Sequence, residues 1–128
     1  QLFWDIYQKR LKSAEVRLFC TGNESRDFIY IDDLVQAISC VSKGASFDGE
    51  VINVASSTET TISDAAHAFL NALGDDYSLT FTGEIKQGDP VNWRASIERL
   101  QKLGFEAVTD LRKGLELTAF EYKESTRH

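Results

Sequence analysis

The chain has 128 residues, 42% hydrophobic and 27% charged, which is room for one domain with a real core and too little for two. With 14 Lys and Arg against 20 Asp and Glu, its net charge is −6, which argues against a nucleic-acid-binding surface, where clustered cations neutralise phosphates. No apolar run approaches the roughly 20 residues of a membrane span, so no membrane partner is expected.

The first predicted element is a helix, with Leu2, Phe3, Ile6, Tyr7 and Leu11 at helical spacing. The bases Lys9, Arg10, Lys12 and Arg17 read as a solvated face. Val16–Phe19 reads as a strand, residues 20–26 as a polar loop around Gly22, and Phe28–Ile31 as a second strand. Asp32 or Asp33 is placed to cap a helix whose Leu34, Ala37, Ile38 and Val41 face one way, with Gly44 at its end. Val51–Val54 reads as a third strand and 56–61 as a loop. Ser63 then reads as the cap of a helix striped by Ala65, Ala66, Phe69, Leu70 and Leu73. Leu79–Thr82 alternates as a strand, and 83–94 is irregular. Ser96 is placed to cap a short helix, and Asp110 a last one with Leu111, Leu115, Thr118 or Ala119, and Tyr122 inward. The mixture predicts an α/β fold, a small mixed sheet packed by helices, in a single domain over 1–128 with a frayed tail at 124–128.

Catalytic constellations are sparse. His67 sits in an alanine-rich helical pattern and His128 is the last residue, so neither completes a nucleophile–base pair. Cys20 and Cys40 have no CxxC or histidine partner, which points to free thiols in a reducing cytoplasm and to no metal site. No Gly-rich dinucleotide turn or P-loop is present. The chain opens on Gln1-Leu2-Phe3-Trp4, apolar residues that are unusual at a solvated terminus, and the expectation is an internal fragment of a longer polypeptide.

Binding features remain. Arg26 lies between a polar loop and an apolar run, at an element edge, and an arginine fork matches phosphate oxygens. Lys86-Gln87-Gly88-Asp89 combines a cation, a glycine that allows close approach, and an acid that accepts from hydroxyls.

The stretch Arg26-Asp27-Phe28-Ile29-Tyr30-Ile31-Asp32-Asp33-Leu34 resembles the R-D-F-I-Y-x-D-D-L segment of extended short-chain dehydrogenases, the NAD-dependent sugar-nucleotide epimerases and dehydratases. Lys86–Asp89 resembles that family's R-x-G-D loop, with lysine in place of arginine. Val51–Ser56, Leu100–Phe105 and Leu111–Leu115 resemble later landmarks in family order. One departure is Ala95, where the family carries a cap acid, so capping is expected to pass to Ser96, with Arg94 at the surface.

The resemblance implies that Arg26 and Lys86 hold the diphosphate of a nucleotide-diphosphate sugar and that Asp89 holds its ribose. It further implies NAD-dependent epimerase chemistry, UDP-glucose 4-epimerase-like, with dehydratase, reductase and non-catalytic relatives as alternatives. The family uses a Tyr-x-x-x-Lys pair. The residues four after Tyr7, Tyr30, Tyr77 and Tyr122 are Leu11, Leu34, Phe81 and Thr126, so no catalytic residue is assigned. The expectation is a C-terminal substrate-binding portion whose NAD site lies in a missing N-terminal Rossmann domain. Such a piece is inactive alone and prone to self-association or homodimer formation.

Overall fold

The computed structural model describes residues 1–74, 76–85 and 87–126. In chain order these form α1 (Leu2–Lys12), β1 (Glu15–Leu18), β2 (Ser25–Asp27), α2 (Ile31–Gly44), β3 (Glu59–Thr61), α3 (Ile62–Leu73), β4 (Ser78–Phe81), α4 (Glu98–Lys102) and α5 (Leu111–Ser125). The class is α/β, as expected, but the sheet is two separate two-stranded pairs. β1 and β4 run parallel, with Val16 opposite Leu79 and Leu18 opposite Phe81. β2 and β3 run antiparallel, with Arg26 opposite Thr60.

The main core lies between α1, the β1–β4 pair, α3 and α5. Ile6, Val16, Phe69 and Leu70 are fully buried there. Phe3 stacks on Phe28 and Phe69 with ring centroids 5.1 and 5.2 Å apart. The Tyr7 hydroxyl donates to the Tyr122 carbonyl at 3.0 Å and joins α1 to the end of α5. A second, smaller cluster collects Ala37, Ala55, Ile97, Leu100 and Phe105 under α2 and α4.

Several expectations are corrected. The second strand is Ser25–Asp27, and Phe28–Tyr30 lie outside any ladder. Phe28 packs on the main core and Ile29 on the second cluster, so burial against both clusters outweighs the β-propensity of the run. Val51–Val54 alternates between exposed and part-buried positions yet has no ladder partner among the described residues; the strand is Glu59–Thr61, inside the expected loop. Ile38 is exposed rather than inward.

The caps also differ. Thr61, not Ser63, caps α3, its Oγ1 accepting from the Asp64 N–H at 3.0 Å. The N-cap of α4 is Ile97, with no side-chain cap, so Ser96 does not take that role. Neither Asp32 nor Asp33 caps α2, whose N-cap is Tyr30. Asp33, 1% exposed, instead accepts from the N–H groups of Val108 and Thr109 at 3.2 and 3.0 Å, tying α2 to the segment before α5. Asp110 does cap α5, accepting from the Lys113 N–H at 2.8 Å.

Candidate functional site

The site grows from the loop between β1 and β2. Gly22 is buried with φ +87°, and a Cβ there would stand 2.9 Å from the Phe81 ring, so only glycine lets the loop close over β4. Glu24 sits beneath it, 7% exposed, with Oε1 accepting from the Thr21 N–H at 3.0 Å and Oε2 from the Gly22 N–H at 2.9 Å. Burial alone would raise the Glu24 carboxyl, but these hydrogen bonds outweigh it and hold the group below the ordinary glutamate range. The loop is thereby fixed by a charged acceptor and delivers β2 at a set height.

β2 is stitched on both sides. The Ser25 N–H donates to the Val91 carbonyl at 2.8 Å. The Asp27 carboxylate accepts from the Ser56 N–H at 2.9 Å, the Ser56 hydroxyl at 2.7 Å and the Ala95 N–H at 3.2 Å. Between these anchors stands Arg26. Its Nη1 donates to the Ser25 carbonyl at 2.7 Å and the Pro90 carbonyl at 2.9 Å. Among the described residues nothing engages its Nε or Nη2, so the guanidinium is held at one corner and keeps donors for a ligand.

Arg26 and Asp89 line one cleft of about 250 Å³, with Lys9, Phe19, Glu24 and Glu84. Two of the three residues expected in the site are thus brought together. Lys86, the third, lies outside the described residues; Glu84 and Ile85 before it line the cleft. The Asp89 carboxylate is exposed and accepts no hydrogen bond among the described residues, which suits an acceptor for a ligand hydroxyl. Arg94 does not line this cleft and is exposed, as expected of a surface residue.

Sequence reasoning missed two participants. Lys9, read as part of a solvated face, lines the cleft from α1. Phe19 was legible only as a strand residue; it follows β1 with its ring 62% exposed at the cleft, where an aromatic face can stack a planar base. Asp27, next to Arg26 in the same motif, has its oxygens committed to the scaffold.

A larger apolar groove of about 370 Å³ lies between Phe28–Ile31 and α5, lined by Phe3, Tyr30, Leu111, Gly114 and Tyr122. Its one charged lining residue among those described is Glu121, so it repels an anion. Burial, then the charges of Asp32 and Glu121, push the Tyr30 phenol up, keeping it neutral. The cleft that Arg26 shares with Lys9 and Asp89 is the candidate site for a phosphorylated ligand.

The model of the NAD dependent epimerase/dehydratase family matches residues 3–55. The uncharacterized UDP-glucose epimerase YtcB of Bacillus subtilis is 28% identical over 114 residues, covering 88% of this chain and 36% of that protein. GDP-L-fucose synthase 1 of Arabidopsis thaliana is 31% identical over 107 residues, covering 83% of this chain and 32% of that protein.

The chain belongs to the NAD-dependent epimerase/dehydratase family.

The fold agrees: UDP-glucose 4-epimerase of Thermotoga maritima, solved with UDP-glucose, superposes with a TM-score of 0.84 at 24% identity over 98% of this chain and 40% of that one. The chain spans about a third of the length of the curated relatives it matches. Among the described residues no glycine-rich turn that would suit the family's cofactor, NAD, joins a strand to a helix. A dinucleotide turn joins a strand to a helix through glycines. Here β1 leads through Gly22 into another strand, β2 reaches α2 through Phe28–Tyr30 without a glycine, and β3 runs into α3 without one. No redox step is therefore derived for these residues.

Proposed function

We propose that this chain is the nucleotide-diphosphate-sugar-binding portion of an NAD-dependent sugar-nucleotide epimerase, UDP-glucose 4-epimerase-like. The observation that carries this reading is Arg26, fixed at one corner with Nε and Nη2 unengaged among the described residues, sharing a cleft with the carboxylate of Asp89, unengaged in the same sense. Arg26 neutralises the diphosphate and Asp89 accepts from the ribose hydroxyls. Lys86 adds a second positive charge without the arginine fork. Phe19 offers its ring to the base. NAD and the Tyr-x-x-x-Lys pair are supplied by residues beyond these 128, in an N-terminal Rossmann domain, so the chain alone performs no turnover. We place the protein in the cytoplasm; no helix of the described residues is long and apolar enough to cross a membrane.

Thermal melting with UDP-glucose tests the binding. A ligand that binds only the folded chain raises the melting temperature, and Arg26→Ala removes that rise. Turnover of UDP-glucose by the 128-residue chain with NAD contradicts the assignment of chemistry elsewhere.

A GDP-linked sugar is the second reading, favoured by relatives at or above 30% identity whose names are GDP-L-fucose synthase. Dehydratase or reductase chemistry for the whole polypeptide would accompany it. Competition between UDP and GDP for the cleft separates the two.

A further inference from the structure

The Arg26 cleft carries an electrostatic imbalance that the proposed ligand must overcome. Its described lining holds four carboxylates, Asp5, Glu24, Glu84 and Asp89, against the two cations Lys9 and Arg26. Glu24 is committed to the Thr21 and Gly22 amides. Asp5 is committed to Lys9: Nζ donates to Oδ2 at 2.6 Å, one turn apart on α1. Lys9 and Arg26 reach the cleft from different elements, a helix and a strand, and both line it together with Cys20. Burial pushes the Cys20 thiol up, against the Gly22 hydrogen bond that lowers it; Glu24 raises it further, and the charges of Lys9 and Arg26 lower it.

Resting on the diphosphate reading above, we infer that Lys9 is a further cation for the ligand's phosphates and that Asp5 holds it in reserve when the cleft is free of ligand. An entering diphosphate presents more charge and more acceptor oxygens than one carboxylate. It takes Nζ from Asp5, and the ion pair inside the protein becomes one between protein and ligand. Asp5 is thus a positioning residue. It keeps Nζ at the cleft wall, offsets its charge against Arg26, and weakens binding by competing for it. The pair is half-exposed, so the effect is small, as measured couplings of such pairs are.

The experiment titrates inorganic pyrophosphate into the full 128-residue chain, followed by ³¹P line broadening. Maleimide labelling of Cys20 is read beside it by peptide mass, with Cys40 as internal reference. Wild type is expected to bind and to show Cys20 labelling slowed relative to Cys40. Asp5→Asn tightens binding by about two- to fivefold and Lys9→Gln weakens it by about as much. In the Lys9→Gln background the gain from Asp5→Asn disappears, because that gain is the release of Lys9. Lys9→Arg, which keeps the charge, holds wild-type affinity, and circular dichroism verifies that each variant retains α1.

Unchanged affinity in Lys9→Gln overturns the inference, as does a gain from Asp5→Asn that persists without Lys9, or equal loss in Lys9→Arg and Lys9→Gln. If Arg26→Ala abolishes binding while those results hold, only the role of Lys9 falls. If pyrophosphate does not bind wild type at all, the diphosphate reading falls, and the inference with it.

Discussion

The Arg26 guanidinium donates to the Pro90 carbonyl across 64 positions of sequence, at 2.9 Å. One bond fastens the cation of β2 to the segment that carries Asp89, so the two groups proposed to grip a nucleotide are set relative to one another before any ligand arrives. Preorganisation of this kind lowers the entropic cost of binding. Arg26→Lys is therefore expected to bind UDP at least about tenfold more weakly than wild type, although charge is conserved, because the fork that serves both Pro90 and a phosphate is lost. Isothermal titration with UDP checks this; equal affinity would show that charge alone matters.

Glu24 makes the cleft loop sensitive to acid. Its folded carboxyl lies below its unfolded value, so its contribution to stability is complete above the unfolded value of about 4.3 and is lost as pH falls through the folded one. Glu24→Gln is expected to be less stable than wild type at neutral pH, with the gap closing in acid. Urea unfolding at a series of pH values measures it. A gap that widens on acidification contradicts the assignment.

Asp33 is expected to matter for stability and not for ligand. Asp33→Ala leaves the Val108 and Thr109 amides without their acceptor and should cost about 2–4 kcal/mol by urea unfolding. Asp32→Ala, at an exposed neighbour, should cost under about 0.5 kcal/mol. Equal effects would mean that the buried carboxylate does not tie α2 to the segment before α5.

Gly22→Ala combines a positive φ with a clash against Phe81. Destabilisation of about 2 kcal/mol or more is expected. Phe81→Leu in the same chain should recover only part of it, since the backbone strain stays. Full recovery would assign the whole cost to the ring contact.

Apolar side chains exposed on α1 and α2, including Trp4, Leu11, Val35 and Ile38, lead to a prediction about association. Sedimentation velocity of the chain should show concentration-dependent self-association, reduced by Val35→Lys with Ile38→Lys. A monomer at all concentrations contradicts it.

The longer helices were legible in the sequence because each carries a stripe that spans several turns, as Ile62, Ala66, Phe69 and Leu70 do in α3. β1 and β4 were legible too, each displaced by one residue, but β2 and β3 were not. Phe28–Tyr30 and Val51–Val54 have the composition of strands, yet what makes a strand is a partner. The ladder formed between Ser25–Asp27 and Glu59–Thr61, polar stretches with no apolar alternation to reveal them. The motif around Arg26 was legible as a unit but not in its division of labour. Arg26 faces the cleft, while Asp27 and Asp33, only one and seven positions on, serve the scaffold. Nothing in local sequence separates an acid that meets ligand from one that meets backbone. Lys9 was hidden for the same reason: its cleft is made by β2 and by the segment around Asp89, both far along the chain.

The most direct test of the central claim is a ¹H–¹⁵N NMR titration of the 128-residue chain with UDP-glucose. The account predicts shifts concentrated at Phe19, Ser25–Asp27 and Gly88–Val91, abolished in Arg26→Ala. Shifts confined to the groove of Tyr30 and Gly114, or none at saturating ligand, would contradict it.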